Sequence, residues 1–223
     1  MIPEDQIEGL VEKYIKHGQT IGIGSSALGI KFLKKMALKK EIEVLDLKIV
    51  PTSAEMTLIL KQLNLEMGSL DEKEVDIAIE FADLVDQNYN YIKKDSKSFV
   101  RDKMIAQSAE TLIIVTKKNN FVSRLFGVVP FEVSPFWWKR TKLQLESFGA
   151  TKERKNGESL IKTESGNYII DALTDSVPSP EEFEYQAKEI PGVIETGLFV
   201  GYADRIILCD KGKIEVKSRI GKE

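Results

Sequence analysis

Apolar positions in the first half of the chain switch between two periods. Val75, Ile77, Ile79 and Phe81 alternate with Asp76, Ala78, Glu80 and Ala82, the pattern of a strand with one apolar and one polar face. Leu28, Phe32 and Met36 fall four apart, as one face of a helix does. These patterns predict a helix over 3–17, a strand over 19–24, a helix from Ser25 to Lys40 and a strand over 43–50. Thr52 and Glu55 have capping-box spacing, so the next helix is expected to start there. A helix over 98–109 and a strand over 111–115 continue the series.

Strand–helix alternation with short links predicts an α/β fold, a mainly parallel, Rossmann-like sheet covered by helices. Ligands of such sheets bind at the carboxyl ends of the strands. After about residue 128 the pattern changes. VVPFEVSPFWWKRTKLQLESFGATKER reads as strand, helix, strand, and Ser165-Gly166-Asn167 predicts a hairpin turn between apolar runs. Ser179-Pro180-Glu181-Glu182 opens a helix, with proline at its first position and Glu182 closing a capping box. VIETGLFV, DRIILCD and KIEVKS are late strands. The expected organisation is an α/β domain of residues 1–128 plus 203–223, with a smaller α+β domain, 129–202, inserted in it. Of Trp137 and Trp138, one is expected to be buried and the other partly exposed.

Composition narrows the function classes by exclusion. The 223 residues carry a formal net charge of −3, which gives no basic surface for nucleic acid or membrane. One cysteine, Cys209, suits a reducing compartment, and with His17 as the sole histidine no zinc site is expected. The opening MIPEDQIEGLVEKYIK is an amphipathic, acid-bearing helical pattern without the features of a signal peptide. No apolar stretch approaches the roughly 20 residues of a membrane span. A cytoplasmic location is expected.

Candidate chemistry lies in two places. GIGSSALG (22–29) is a strand–turn–helix in which Gly22 and Gly24 allow a tight turn and the helix N-terminus offers N–H groups to an anion. Ser25 or Ser26 could equally be a plain N-cap. The second place is the charged run from Glu80 to Asp102. Glu80 and Asp83 stand at a strand end, where catalytic side chains collect, though two solvated turn carboxylates would look the same. Asp86-Gln87-Asn88 reads as a turn. Lys93-Lys94 could be a solvated charge run, and Asp102, early in a helix, could simply complement the dipole.

Three further segments carry a resemblance. PFEVSPF (130–136), ESGNYIID (164–171) and IPGVIETGLF (190–199) resemble the ribose-5-phosphate isomerase A family, whose members carry P-V-E-V-x-P-F, T-D-x-G-N-x-I-x-D and I-P-G-V-V-E-x-G-L-F in the same order. The likeness runs from GIGSS to the C-terminal strands. It implies an intramolecular aldose–ketose isomerase of the non-oxidative pentose phosphate branch. Such an enzyme interconverts ribose 5-phosphate and ribulose 5-phosphate with no cofactor and no metal, and its larger domain binds the sugar phosphate. A homodimer or homotetramer is implied as well.

Laid on this sequence, the family's D-G-A-D-E places its aspartates on Glu80 and Asp83, its K-G-G-G-A places the lysine on Lys93, and its R-E-K places the base on Asp102. The resemblance thus implies Asp102 as proton-transfer base, Glu80 and Asp83 as ring-opening or hydroxyl-orienting acids, and Lys93 as oxyanion partner. Gly24, Ser25, Ser26, Lys94 and Ser96 would bind substrate. The departures gather in the same segments. Asp102 is one methylene shorter than the family's glutamate, Glu80 one longer than its aspartate, and Lys94, Asp95 and Ser96 replace three glycines. In the turn, Ser26 replaces a glycine, and Ala27 and Leu28 stand where the family has hydroxyls. The family's D-x-x-K falls on TKKNN, with Lys117 or Lys118 as possible substitutes for its cation. A non-catalytic or re-purposed sugar-phosphate or nucleotide binder on the same scaffold is the alternative.

Overall fold

The computed structural model describes residues 2–221. Among these residues seven strands form one sheet, in the order Lys213–Ser218, Arg205–Asp210, Ala109–Lys117, Val75–Phe81, Gln19–Ile23, Leu47–Val50 and Glu66–Met67. Neighbours run parallel throughout, except that Lys213–Ser218 turns back antiparallel on Arg205–Asp210. The helices Glu4–Tyr14, Ala27–Glu43 and Ala54–Gln62 bury Ile7, Phe32, Met36 and Leu60 against Ile77, Ile79 and Phe81 on one face. The helix Phe99–Ser108 covers the other, packing Phe99, Ile105 and Ala106 against Ala78, Leu112 and Ile114. The α/β fold with a mainly parallel sheet is as expected.

A second, antiparallel sheet runs Ala150–Glu153, Tyr168–Val177, Leu125–Val133, Val193–Thr196, with the helices Trp138–Leu145 and Pro180–Lys188 beside it. Its inner residues Val129, Phe131, Ile170 and Ala172 pack on Leu145, Phe183 and Ala187. A third, small sheet joins Leu198–Phe199, Tyr91–Ile92, Leu84–Asp86 and Phe121–Val122. It ties the late motif to the loops that follow Val75–Phe81.

Several local expectations are corrected. The first helix ends at Tyr14, and the second runs on to Glu43, where Val44 turns left-handed (φ 54°), so the next strand begins only at Leu47. The third helix is capped by Ser53, whose hydroxyl accepts from Met56 N–H, not by Thr52. Ser179 does cap its helix, but the Glu182 carboxylate accepts from Gln186 one turn on. The turn at Ser165–Asn167 forms, yet its first arm makes only the single bridge Lys162–Tyr168. The long strand Tyr168–Val177 pairs instead with Leu125–Val133 and Ala150–Glu153, which offer many more ladder bonds. Neither tryptophan is buried: Trp137, in the left-handed conformation, is 73% exposed, and Trp138 lies half-buried edge-on to Tyr168. Most consequential, Val75–Phe81 has no solvated face, because as a central strand it is covered on both sides.

Candidate active site

Glu80 lies on the same side of its strand as Ala78, the side covered by the Phe99–Ser108 helix. That is why a residue with the sequence look of a solvated acid is 1% exposed. Beyond it the chain makes a tight excursion. Asp86 Oδ1 accepts the N–H groups of Asn88 (2.8 Å) and Asn90 (2.9 Å), an Asx turn that sends Tyr91–Ile92 back along Leu84–Asp86. Lys93 follows directly. Its N–H donates to Gly197 O at 2.9 Å, and the Gly197 N–H donates to Pro130 O at 2.7 Å. A side chain at 197 would put its Cβ 2.5 Å from the Lys93 carbonyl oxygen, so only glycine lets this clamp close.

The helix then begins. Ser98 is its N-cap, accepting from Arg101 N–H, and Asp102 stands in the first turn. Lys93 Nζ donates to Asp102 Oδ2 and to Glu80 Oε2, both at 2.7 Å, and Ser96 Oγ donates to the same Asp102 oxygen at 2.5 Å. Glu80 Oε1, Asp102 Oδ1 and Tyr91 Oη are buried there without a hydrogen-bond partner among the described residues. Three unsatisfied buried oxygens are costly unless something else bonds them.

Burial pushes the Glu80 carboxyl up to about 7; Lys93 opposes the shift and the charge of Asp102 adds to it. Burial alone would lower Lys93, but Asp102 and Glu80 outweigh it and hold the ammonium above its ordinary range. Burial, with the charges of Glu80 and Asp102 added, keeps the Tyr91 phenol well above its usual value and therefore protonated. The cluster offers a carboxyl close to half-protonated at neutral pH, a fixed cation and a second carboxylate with a free oxygen. That set can move a proton and stabilise an oxyanion.

The other anticipated residues fall around this cluster. The missing Cβ of Gly24 makes room for Glu80, because an added one would lie 2.2 Å from Glu80 Oε2. Ser26 caps the Ala27–Glu43 helix, accepting from Gly29 N–H at 3.0 Å, and Ser25 Oγ lies 2.6 Å from Thr52 Oγ1. Both serines line a cavity of about 210 Å³ between the N-termini of two helices, with Ser53, Glu55, Asp95 and Lys97 on its walls. Ser96, between Asp95 and Lys97, bonds Asp102, so one short segment touches both the cavity and the buried cluster. Asp83 makes its hydrogen bond outside the cluster: its Oδ2 accepts the Lys94 N–H at 2.7 Å. Lys94 is half-buried, and its carbonyl takes a 2.9 Å bond from Arg154 Nη1. Lys118 pairs with Glu215 at 3.2 Å, and Lys117 and Lys118 flank a different cavity, beside Cys209 and Lys211.

Sequence reasoning passed over Tyr91, Gly197 and Arg154. Tyr91 looks like a strand core residue, and it is stacked on Phe199 (4.5 Å between centroids) as a core residue would be. Gly197 and Arg154 act across more than 50 residues of chain, which no local pattern records. The signal available was that Gly197 belongs to IPGVIETGLF, one of the three segments that carry the resemblance.

The fold and site define an α/β protein with an acid–lysine–acid cluster at the carboxyl end of a parallel sheet. Residues 48–213 match the model of ribose 5-phosphate isomerase A (phosphoriboisomerase A). Ribose-5-phosphate isomerase A 2 of Oceanobacillus iheyensis is 33% identical over 207 residues, 92% of this chain and 92% of that protein. Ribose-5-phosphate isomerase A of Pyrococcus horikoshii is 34% identical, covering 88% of this chain and 89% of its own. A solved D-ribose-5-phosphate isomerase in complex with phospho-erythronic acid superposes with a TM-score of 0.89 at 29% identity, over 98% of this chain and 100% of the other. The chain belongs to the ribose 5-phosphate isomerase A family.

Proposed function

We propose that this protein interconverts ribose 5-phosphate and ribulose 5-phosphate through an enediolate. The observation that carries the reading is the sharing of Lys93 between two buried carboxylates, each with one oxygen left over. Asp102, through Oδ1, takes the proton from C2 and returns it to C1. The Lys93 ammonium balances the negative charge that develops on the C1 and C2 oxygens. Glu80, with its carboxyl near 7, is the group able to give a proton to the ring oxygen on opening. Asp83, held by Lys94 N–H, has a second oxygen to orient a sugar hydroxyl.

Gly24, Ser25 and Ser26 surround the phosphate at the N-terminus of the Ala27–Glu43 helix. Lys94 and Ser96 enclose the sugar. The exchange of lengths at 80 and 102 is compensating in this reading: the longer acid and the shorter base still meet one lysine, and Ser96, in place of a glycine, steadies the shorter one. A larger domain of residues 1–128 plus 203–223 carries these groups, and 129–202 supports them. We further assign a cytoplasmic homodimer or homotetramer.

The test is ketose formation from ribose 5-phosphate, measured beside thermal stability. Turnover is the expected result. A protein that ribose phosphates stabilise without any turnover would be the non-catalytic binder instead.

A further inference from the structure

Glu132 lies on the strand Leu125–Val133 of the antiparallel sheet and is completely buried. Four uncharged groups donate to it. Phe99 N–H (2.9 Å) and Val100 N–H (3.3 Å) bond Oε2, while Thr163 Oγ1 (2.7 Å) and Asn167 Nδ2 (2.9 Å) bond Oε1. Phe99 and Val100 open the helix whose first turn carries Asp102, and Asp102 N–H itself donates to Ser98 O at 3.1 Å. Two of the segments that resemble the family therefore meet here: Glu132 comes from PFEVSPF and Asn167 from ESGNYIID.

A carboxylate at this place does two things. It satisfies two N–H groups that a helix start leaves open, and its charge complements the positive end of the helix dipole. It also ties the helix to a different sheet. Glu132 sits in register with Ile169 on one neighbouring strand and Glu195 on the other, so its backbone is held from both sides. The entry of the helix is thus fixed from within by Ser96 and Ser98, whose N–H and Oγ bond at 2.9 Å, and from outside by Glu132.

We propose that Glu132 is a positioning residue for proton transfer: by holding the first turn of the Phe99–Ser108 helix it sets where Asp102 stands relative to Lys93 and the substrate carbon. The inference rests on the isomerase reading above. It assigns to the antiparallel sheet a part in the chemical step, besides any part in folding. A displacement of about 1 Å in a reacting group can cost on the order of 10²-fold in rate, so a modest tilt of the helix is enough to be measured.

The experiment compares wild type with Glu132→Gln and Asn167→Ala, using ribose 5-phosphate and its C2-deuterated form. Glu132→Gln keeps the shape, loses the charge and turns one acceptor into a donor. Its kcat is expected to fall about tenfold to a hundredfold, with KM within about threefold and a larger C2 isotope effect than wild type. Asn167→Ala removes one donor and leaves the carboxylate, so it should show the same signature at about a third to a tenth of wild-type kcat. That variant keeps the inference testable if Glu132→Gln does not fold. A purely structural role would lower Tm while leaving kcat per folded molecule and the isotope effect unchanged, and that result overturns the proposal. Absence of turnover in wild type overturns the isomerase reading, and this inference with it.

Discussion

Lys93 and Asp102, nine residues apart in the chain, meet at 2.7 Å with their side chains 1% and 0% exposed. The same ammonium reaches Glu80 at the same distance, so one cation serves two carboxylates out of contact with water. The cluster therefore keeps an excess of negative charge when all three groups are ionised, and its energetics and its chemistry both follow from that imbalance.

Removing the lysine should be costly in a pH-dependent way. Lys93→Met keeps most of the side chain's length and leaves Glu80 and Asp102 buried without their cation. A loss of about 3–5 kcal/mol is expected at pH 7, as for other broken buried pairs. The deficit should shrink at pH 5, where carboxyls that have lost a cation take up protons. Urea unfolding at the two pH values checks this. An equal deficit at both would mean that the lysine acts through packing alone.

Glu80 makes its own prediction. Its folded value, about 7, lies above the ordinary 4.5, so the folded protein holds more proton than the unfolded one between these values. Its contribution to stability is complete below about pH 4.5 and is lost as pH rises through 7. The change amounts to something on the order of 3 kcal/mol. Glu80→Gln should flatten the pH dependence of unfolding in that window, and in the wild type kcat should decline above neutrality as the ring-opening acid loses its proton. A variant whose stability follows the wild-type pH curve would show that Glu80 titrates as an ordinary carboxyl.

Gly24→Ala tests how tightly the glycine turn and the acid are fitted. The new methyl would lie 2.2 Å from Glu80 Oε2, so the carboxylate or the turn must shift. We expect kcat to drop by roughly 10²-fold with the fold retained, since a shift of about 1 Å in a reacting group is enough for that. Steady-state kinetics and circular dichroism decide it. Activity within twofold of wild type would mean that Glu80 has room to spare.

Much of this was legible in the chain. The alternation of periods gave the parallel sheet because its strands and helices each carry their own apolar rhythm. The family resemblance, laid on the chain, put Glu80, Lys93 and Asp102 in one site, which the Asx turn at Asp86 and the cap at Ser98 assemble. Burial was not legible. Glu80 alternates with apolar residues as a surface acid would, and only the helix that lands on it shows otherwise. One cap slipped by a residue: Thr52 has the capping-box spacing to Glu55, yet its neighbour Ser53, with Met56 three residues on, makes the cap. The supports Glu132, Gly197 and Arg154 were invisible to any local rule, since each acts on a segment more than 30 residues away.

Solvent deuterium follows the proton that Asp102 is proposed to carry. Wild type and Asp102→Asn are incubated with ribose 5-phosphate in deuterated water, and NMR follows both ketose formation and deuterium at C2 of the aldose and C1 of the ketose. The wild type should convert and label the sugar. Asp102→Asn should do neither, although ribose 5-phosphate should still raise that variant's Tm. Labelling and turnover by Asp102→Asn at the wild-type rate would mean that another group carries the proton.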